Sequence, residues 1–513
     1  MSSTQAATDE EQRKSDDDSV LLGLDFPKPT RSDVLAGVSV ALVLIPQCIA
    51  YAAIAGMPPM VGLFASAFPL LVFAFFASSP YLQTGPVATT SLLTFAALTA
   101  SKIPAGHAWV EAGTLLALIV GVIRLVFGAC RLGWVAYLIS DAVMIGFTAG
   151  AAILIMASQF PKCVGVQGDF FEALSGFATW SKASIALALA TVSLMVLGKR
   201  IHRRFPGVLV AVVLGLVASA WITVPTVGKV PAALPTLVLS FPVPSIPILI
   251  FAFVIAFVGF AEPSAIARTF ANEDNTKWNA NREFFASGLA NLAAAFSGAY
   301  PVGGSFSRSS VNRVSGAKTR WSGAITGLCV IAFLPFAWIL SSLPIAVLGG
   351  IVLAAVYRLT KPRRMVRLWL RSPHQAALAW ITFVATILTA PKIHYAVLLG
   401  VGLSIALHFA RRLTIRTVGE TDTDRELHVR PEGLLWYFTQ NSLREQLDSV
   451  ADSNPTKDLK IDLGELIAMD ATTIDTIAQL AKRIHPRKVT FADSPWETGD
   501  DVRAAIDRVA DGR

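Results

Sequence analysis

Two short stretches carry residue types suited to recognising a small anion. One is Tyr81-Leu-Gln-Thr-Gly-Pro-Val-Ala-Thr-Thr90 and the other is Ala299-Tyr-Pro-Val-Gly-Gly-Ser-Phe-Ser-Arg308. Each breaks an apolar pattern just ahead of an apolar segment too short to cross ~30 Å of hydrocarbon as a straight helix. A half-helix that begins at mid-membrane leaves unpaired backbone N–H groups and a partial positive charge at its first turn. Two such ends facing each other form an anion site without a full lysine or arginine charge. Gly85 and Gly304 permit close backbone approach. Pro86 suits a first helical position, where its missing N–H would have had no partner. Thr89, Ser305 and Ser307 add hydroxyl donors. Ordinary kinks and small-residue packing are the plainer explanation, and they fit one motif better than a matched pair.

Arg308 follows within the second motif. An arginine at membrane depth costs about 3 kcal/mol on insertion scales, and it is functional, paired or snorkelling; here it would raise the positive potential of the site. Glu262, in Val258-Gly-Phe-Ala-Glu-Pro-Ser264, reads as the only acidic residue deep in the apolar spans of the second half. It can take a proton as the anion binds and so couple transport to a proton gradient, or it can stand as a fixed carboxylate paired with Arg308. Pro263 beside it implies an irregular helix whose carbonyls could face a cation, which keeps sodium as the alternative coupling ion. Gln47 follows Pro46 inside the first span, with Tyr51 one turn further on. The Gln47 amide could donate to the anion or bond a neighbouring helix. Asp141 reads as interfacial. The cysteines (Cys48, Cys130, Cys163, Cys329) and the histidines show no ligand or disulfide spacing, and no catalytic triad or phosphate loop is present. No metal, no cofactor beyond the coupling ion and no enzymatic activity are expected.

What must position these groups is a membrane body. The 513 residues are 54% hydrophobic and 15% charged, against roughly 25% charged in soluble domains. About fourteen apolar segments run from residue 33 to residue 410, the third and tenth short. Basic residues collect in every second loop: Arg131, then Lys199 to Arg204, Lys277 and Arg282, Lys318 and Arg320, Arg358 to Arg371, and Arg411 with Arg412. By the positive-inside rule both ends of the body are cytoplasmic. The net charge of +8 therefore belongs to span ends and argues against nucleic-acid binding.

The body divides into halves, about 31–222 and 246–412, and the broken segments fall at matching places in each. Seven segments per half is odd, so the halves have opposite orientation, the pattern of inverted-repeat transporters. Residues 1–30 read as a disordered cytoplasmic tail. Residues 424–513 alternate strand and helix, as a small α/β domain does. Strands are expected in Leu427–Phe438, Leu459–Leu463 and Lys488–Phe491, and helices in Asn441–Ala451, Thr472–Ile484 and Asp500–Val509.

At these residues the sequence resembles the SulP family of sulfate permeases and related anion transporters. Asp33-Val-Leu-Ala-Gly37, Ile45-Pro-Gln-Cys-Ile-Ala-Tyr-Ala52 and Ala55-Gly-Met-Pro-Pro-Met-Val-Gly-Leu63 look like its first-span signature. Thr84-Gly-Pro-Val-Ala88 and Gly304-Ser-Phe-Ser-Arg-Ser-Ser-Val-Asn312 match its third- and tenth-segment motifs. The resemblance implies a core and a gate domain built from two inverted seven-segment repeats, usually in a homodimer. It makes Gly85, Pro86, Val87 and Ala88, with Ser305, Phe306, Ser307 and Arg308, the anion cradle, and Glu262 the proton-coupling position. The C-terminal region is similar to a STAS domain. There Ala471 stands where related domains carry a phosphorylatable serine, with Thr472 adjacent, and a cytoplasmic regulatory partner is implied.

The resulting expectation is proton-coupled oxyanion uptake across the cell membrane by an elevator-like movement, with sulfate first. The rivals are sodium-coupled bicarbonate transport, dicarboxylate transport (fumarate or succinate) and an anion channel. The expected partners are the small anion, lipid, a second copy of the chain and a regulatory protein.

Overall fold

The structure is a computed structural model. It describes residues 28–133, 140–201, 205–274, 276, 278–360, 365–366, 368–369 and 373–413, and beyond these only six short strands between 416 and 492. The chain forms two compact units, Met1–Val401 and Gly402–Arg513.

In the first repeat the helices are α1 (Arg31–Ile54), α2 (Pro59–Phe64), α3 (Phe68–Phe76), α4 (Ala88–Ala100), α5 (His107–Ala129), α6 (Asp141–Val164), the short α7 (Phe170–Ser175), α8 (Lys182–Ile201) and α9 (Gly207–Ser219). The second repeat has α10 (Ile246–Glu273), α11 (Ala280–Phe296), α12 (Phe306–Val314), α13 (Trp321–Phe333), α14 (Ile345–Val356), α15 (Pro373–Leu388) and α16 (His394–Leu413). Each expected apolar segment coincides with a helix, and two are more broken than their hydropathy suggests. The second segment is α2 and α3, separated at Ala65–Ala67 because Pro69 begins a new helix. The eleventh continues past α13 as a 3₁₀ helix, Leu334–Ser342, where Pro335 removes a backbone donor. Among the described residues six helical stretches are long and apolar enough to cross a membrane, and α4, α8, α9, α14, α15 and part of α16 are shorter apolar helices. Exposed Val122, Leu189 and Val217, 48%, 62% and 57% accessible, show the outer surface that hydrocarbon would cover.

Inverted symmetry is visible in which helices pack together. The second segment lies on the eleventh (α3 on α13), and its image is the ninth on the fourth (α11 on α5). The first packs on the tenth (α1 on α12), mirrored by the eighth on the third (α10 on α4). The fifth meets the thirteenth (α6 on α15), and the twelfth meets the sixth (α14 on α8). Segments 1–4 and 8–11 thus interlock as one group, and 5–7 with 12–14 as the other.

Small residues make these approaches possible. A Cβ on Gly128 of α5 would lie 2.5 Å from the Phe285 nitrogen and 2.8 Å from the Asn281 oxygen of α11. Replacing Gly128 by Val is therefore expected to destabilise the fold by about 1–3 kcal/mol, read as a lower Tm of the detergent-purified protein. An unchanged Tm would mean that α5 and α11 are not in such close register.

Helix starts are capped by local chemistry. Thr30 and Asp33 form a reciprocal capping box on α1. The buried Asp33 carboxylate also accepts from the Lys318 and Thr319 N–H groups at 2.8 and 2.9 Å, which ties α1 to the turn after α12. In the second unit, Thr421–Asp422, Glu426–Val429, Asp458–Asp462 and Val489–Ala492 form a four-stranded sheet. Its first pair is antiparallel and the next two are parallel. Parallel neighbours require crossover connections, in accord with a small α/β domain. Residues 1–27, the three C-terminal helices expected, Ala471 and Thr472 lie outside the described residues.

Candidate functional site

The two broken segments meet backbone to backbone. Thr84–Gly85 (β1) and Gly303–Gly304 (β2) pair antiparallel, Thr84 opposite Gly304 and Gly85 opposite Gly303. The Ser305 N–H donates to the Gln83 carbonyl at 3.0 Å, and the Gln83 N–H to Ser309 Oγ at 2.9 Å. Because antiparallel strands lead directly into α4 and α12, the two helices leave the crossing in opposite directions. Their N-terminal turns, with unpaired N–H groups, therefore converge on one place. Gly85 has φ +138°, and a Cβ there would stand 3.4 Å from Arg308 Nη2. The positive φ is what calls for glycine, and the Arg308 nitrogen would lie at the edge of ordinary contact with a side chain there.

Arg308 lies between the helix starts and is fully buried. Its Nη1 donates to the Pro86 carbonyl at 2.8 Å. Its Nε and Nη2 have no hydrogen-bond partner among the described residues. A buried guanidinium with two unused donors is costly to leave so, and an anion is the group that would satisfy it. Tyr51 of α1 and Glu262 of α10 are both within electrostatic reach of this guanidinium. Glu262 is half-buried and engaged with a neighbouring group. Next to it Pro263 packs on β2: a Cβ on Gly304 would lie 2.9 Å from Pro263 Cβ and 3.0 Å from Leu82 Cδ1. Gly304→Ala is accordingly expected to lower anion uptake about tenfold or more by displacing β2, with the protein still folded. Uptake per folded molecule at the wild-type rate would show that β2 can shift freely.

Pro86 is not the first helical residue. Val87 is the N-cap of α4 and Ala88 begins it, because the extended backbone of β1 runs on and turns the Pro86 carbonyl toward Arg308. Ser305 is the N-cap of α12, and its hydroxyl oxygen accepts from the Arg308 N–H at 3.5 Å. Val87, Ala88 and Thr89 are buried at the α4 start, whereas Phe306 and Ser307 are exposed at the α12 start. Phe306 stacks near Phe270 of α10, with ring centroids 6.3 Å apart. Gln47 is buried, and its Oε1 has no hydrogen-bond partner among the described residues. Among the described residues no cluster of metal-ligating side chains occurs.

Sequence reasoning missed several buried polar groups. Glu283, in the first turn of α11, is fully buried. Glu283 reads as a span-end residue, but the Ser78–Ser79 connection folds over it. The N–H groups of both serines donate to its carboxylate at 3.0 and 2.9 Å, and the Trp278 indole donates at 3.1 Å. Asn291 binds both backbone groups of Val302, just ahead of β2. Arg124, the lone charge in the apolar run of α5, is also fully buried. Its position in that run was the signal.

A multi-pass helical membrane body with two broken helices crossing over a buried arginine defines an anion-transporter fold. The family model for the sulfate permease family matches residues 30–383, and a STAS domain model matches residues 416–492. The chain belongs to the sulfate permease family, with a C-terminal STAS domain, and is a transporter rather than an enzyme. It is similar to a Mycobacterium tuberculosis (strain CDC 1551 / Oshkosh) protein named "Probable sulfate transporter MT1781", at 32% identity over 90% of this chain and 88% of that one. Among solved structures, the murine Solute Carrier 26 family member A9 anion transporter superposes with a TM-score of 0.79 at 21% identity, over 95% of this chain and 89% of that one. The transmembrane domain of the cyanobacterial bicarbonate transporter BicA gives 0.64 at 22% identity, over 72% and 97%.

Proposed function

We propose that the protein is a proton-coupled uptake carrier for inorganic oxyanions, with sulfate as its first cargo, working by an elevator-like movement of the group that holds the site. The observation that carries this reading is the fully buried Arg308 guanidinium, with Nε and Nη2 unpartnered between two converging helix N-termini. A tetrahedral dianion can accept from a guanidinium fork and from backbone N–H groups together. The relative from Mycobacterium tuberculosis carries sulfate in its name, which supports the same cargo here. Glu262, within electrostatic reach of Arg308, is the proton-carrying group: protonated, it removes a negative charge as the anion arrives. No other cofactor takes part. The protein works as a homodimer in the cell membrane with both termini cytoplasmic, as the basic loops indicate, and the STAS domain receives a cytoplasmic regulatory partner.

The test is uptake of labelled sulfate, bicarbonate and fumarate into proteoliposomes under separate proton and sodium gradients. Saturable sulfate accumulation driven by a proton gradient is expected. Sodium-driven bicarbonate uptake, fumarate as the preferred cargo, or unsaturable conductance would each replace this reading.

A further inference from the structure

Arg124 of α5 has no role in the site described above, yet its environment is elaborate. The side chain is fully buried. Nε donates to the Ala256 carbonyl at 3.1 Å and Nη2 to the Ile255 carbonyl at 2.9 Å, both on α10. Nη1 donates to Ser287 Oγ on α11 at 2.8 Å and to the Val302 carbonyl at 3.1 Å. All four acceptors are neutral, so these contacts hold the charge without cancelling it. Burying an arginine among neutral groups is costly.

The guanidinium sits directly behind β2. A Cβ on Gly259 of α10 would stand 2.7 Å from Arg124 Nη2 and 3.3 Å from Thr90 Cγ2, so glycine there admits the guanidinium. A Cβ on Gly303 would meet the same Thr90 methyl at 3.4 Å and the Gly259 carbonyl at 3.6 Å. Val302, one residue before β2, is held at both ends. Its carbonyl accepts from Arg124 and from Asn291 Nδ2, and its N–H donates to Asn291 Oδ1. The same cation thus fixes α10 two turns before Glu262 and the backbone one residue before the crossing.

We propose that Arg124 is a positioning residue for the anion site: it locks β2 and α10 into one body, so that the α12 N-terminus, Arg308 and Glu262 keep their spacing. The inference rests on the anion-carrier reading above. A guanidinium is suited to the task because its rigid fork reaches the α10 backbone, the Val302 backbone and the Ser287 hydroxyl at once, which a lysine ammonium does less well.

The experiment compares the full-length wild type with Arg124→Met, Arg124→Lys and Ser287→Ala in proteoliposomes. Sulfate uptake is measured over a concentration series, and folded protein is counted by gel filtration before reconstitution. Arg124→Met is expected to raise KM for sulfate about tenfold or more at equal folded protein, because small displacements of binding groups are costly. Arg124→Lys is expected to recover part of that loss, and Ser287→Ala to show a smaller rise in KM. If KM is unchanged while only the folded fraction or the maximal rate falls, Arg124 is a helix staple and the inference is wrong. Should Arg124→Met fail to fold, Arg124→Lys and Ser287→Ala decide: unchanged KM in both overturns the proposal. A wild type without saturable uptake of sulfate, bicarbonate or fumarate overturns the carrier reading itself, and the positioning role with it.

Discussion

Replacing Arg308 by Ala is expected to weaken sulfate binding by about 30-fold to several thousand-fold, the equivalent of ~2–5 kcal/mol for losing one member of a buried, hydrogen-bonded charge pair. The range is large because the guanidinium is fully buried and two of its nitrogens have no hydrogen-bond partner among the described residues. Little of its donor capacity is spent on the protein, so most is available to a ligand. Arg308→Lys should fall between wild type and Ala, since it keeps the charge and loses the planar fork that suits an oxyanion. Equilibrium binding of labelled sulfate to the purified protein reads both. Wild-type affinity in Arg308→Ala would remove this residue from the site and leave the helix termini to account for all recognition.

Glu262→Gln is expected to abolish proton-driven accumulation while leaving downhill exchange of anion. Glutamine is neutral at every pH, as the protonated carboxyl is, so the site would accept the anion without taking up a proton. One proton moving down a gradient of one pH unit supplies about 1.4 kcal/mol, equivalent to about tenfold accumulation. The variant should lose that gain and its dependence on external pH together. Accumulation that still follows the proton gradient would assign coupling to another group. Glu283 is the next carboxylate to test, although its three donors from Ser78, Ser79 and Trp278 give it a capping role.

Most of the architecture was legible before any coordinates, because the bilayer narrows the choices. Spans must be apolar and about 20 residues long, basic loops mark one side, and broken helices persist at depth only where protein covers them. Those constraints located fourteen segments, two repeats and the two interrupted helices. They did not reveal that Gly85 and Gly303 are register partners, since a two-residue strand pair has no periodicity to read. Nor did they place Pro86 outside its helix. Its carbonyl is claimed by Arg308, a contact between residues far apart in the chain. Arg124 and Glu283 were missed for related reasons. Each is a single charge in or beside an apolar run, and only the fold shows that carbonyls enclose one and serine N–H groups the other. In the second unit the Leu459–Leu463 and Lys488–Phe491 expectations correspond to strands at Asp458–Asp462 and Val489–Ala492, because short apolar runs between stretches of helical pattern read as strands; their parallel pairing is visible only in the fold.

The most direct measurement is a structure of the protein with selenate, the heavier analogue of sulfate, located by the anomalous scattering of selenium. Selenate is expected between the N-terminal turns of Ala88–Ala100 and Phe306–Val314, within hydrogen-bond distance of Arg308 Nε or Nη2 and of backbone N–H groups. Selenate bound elsewhere, with the Arg308 nitrogens still unengaged, would contradict an anion site built on the two broken helices.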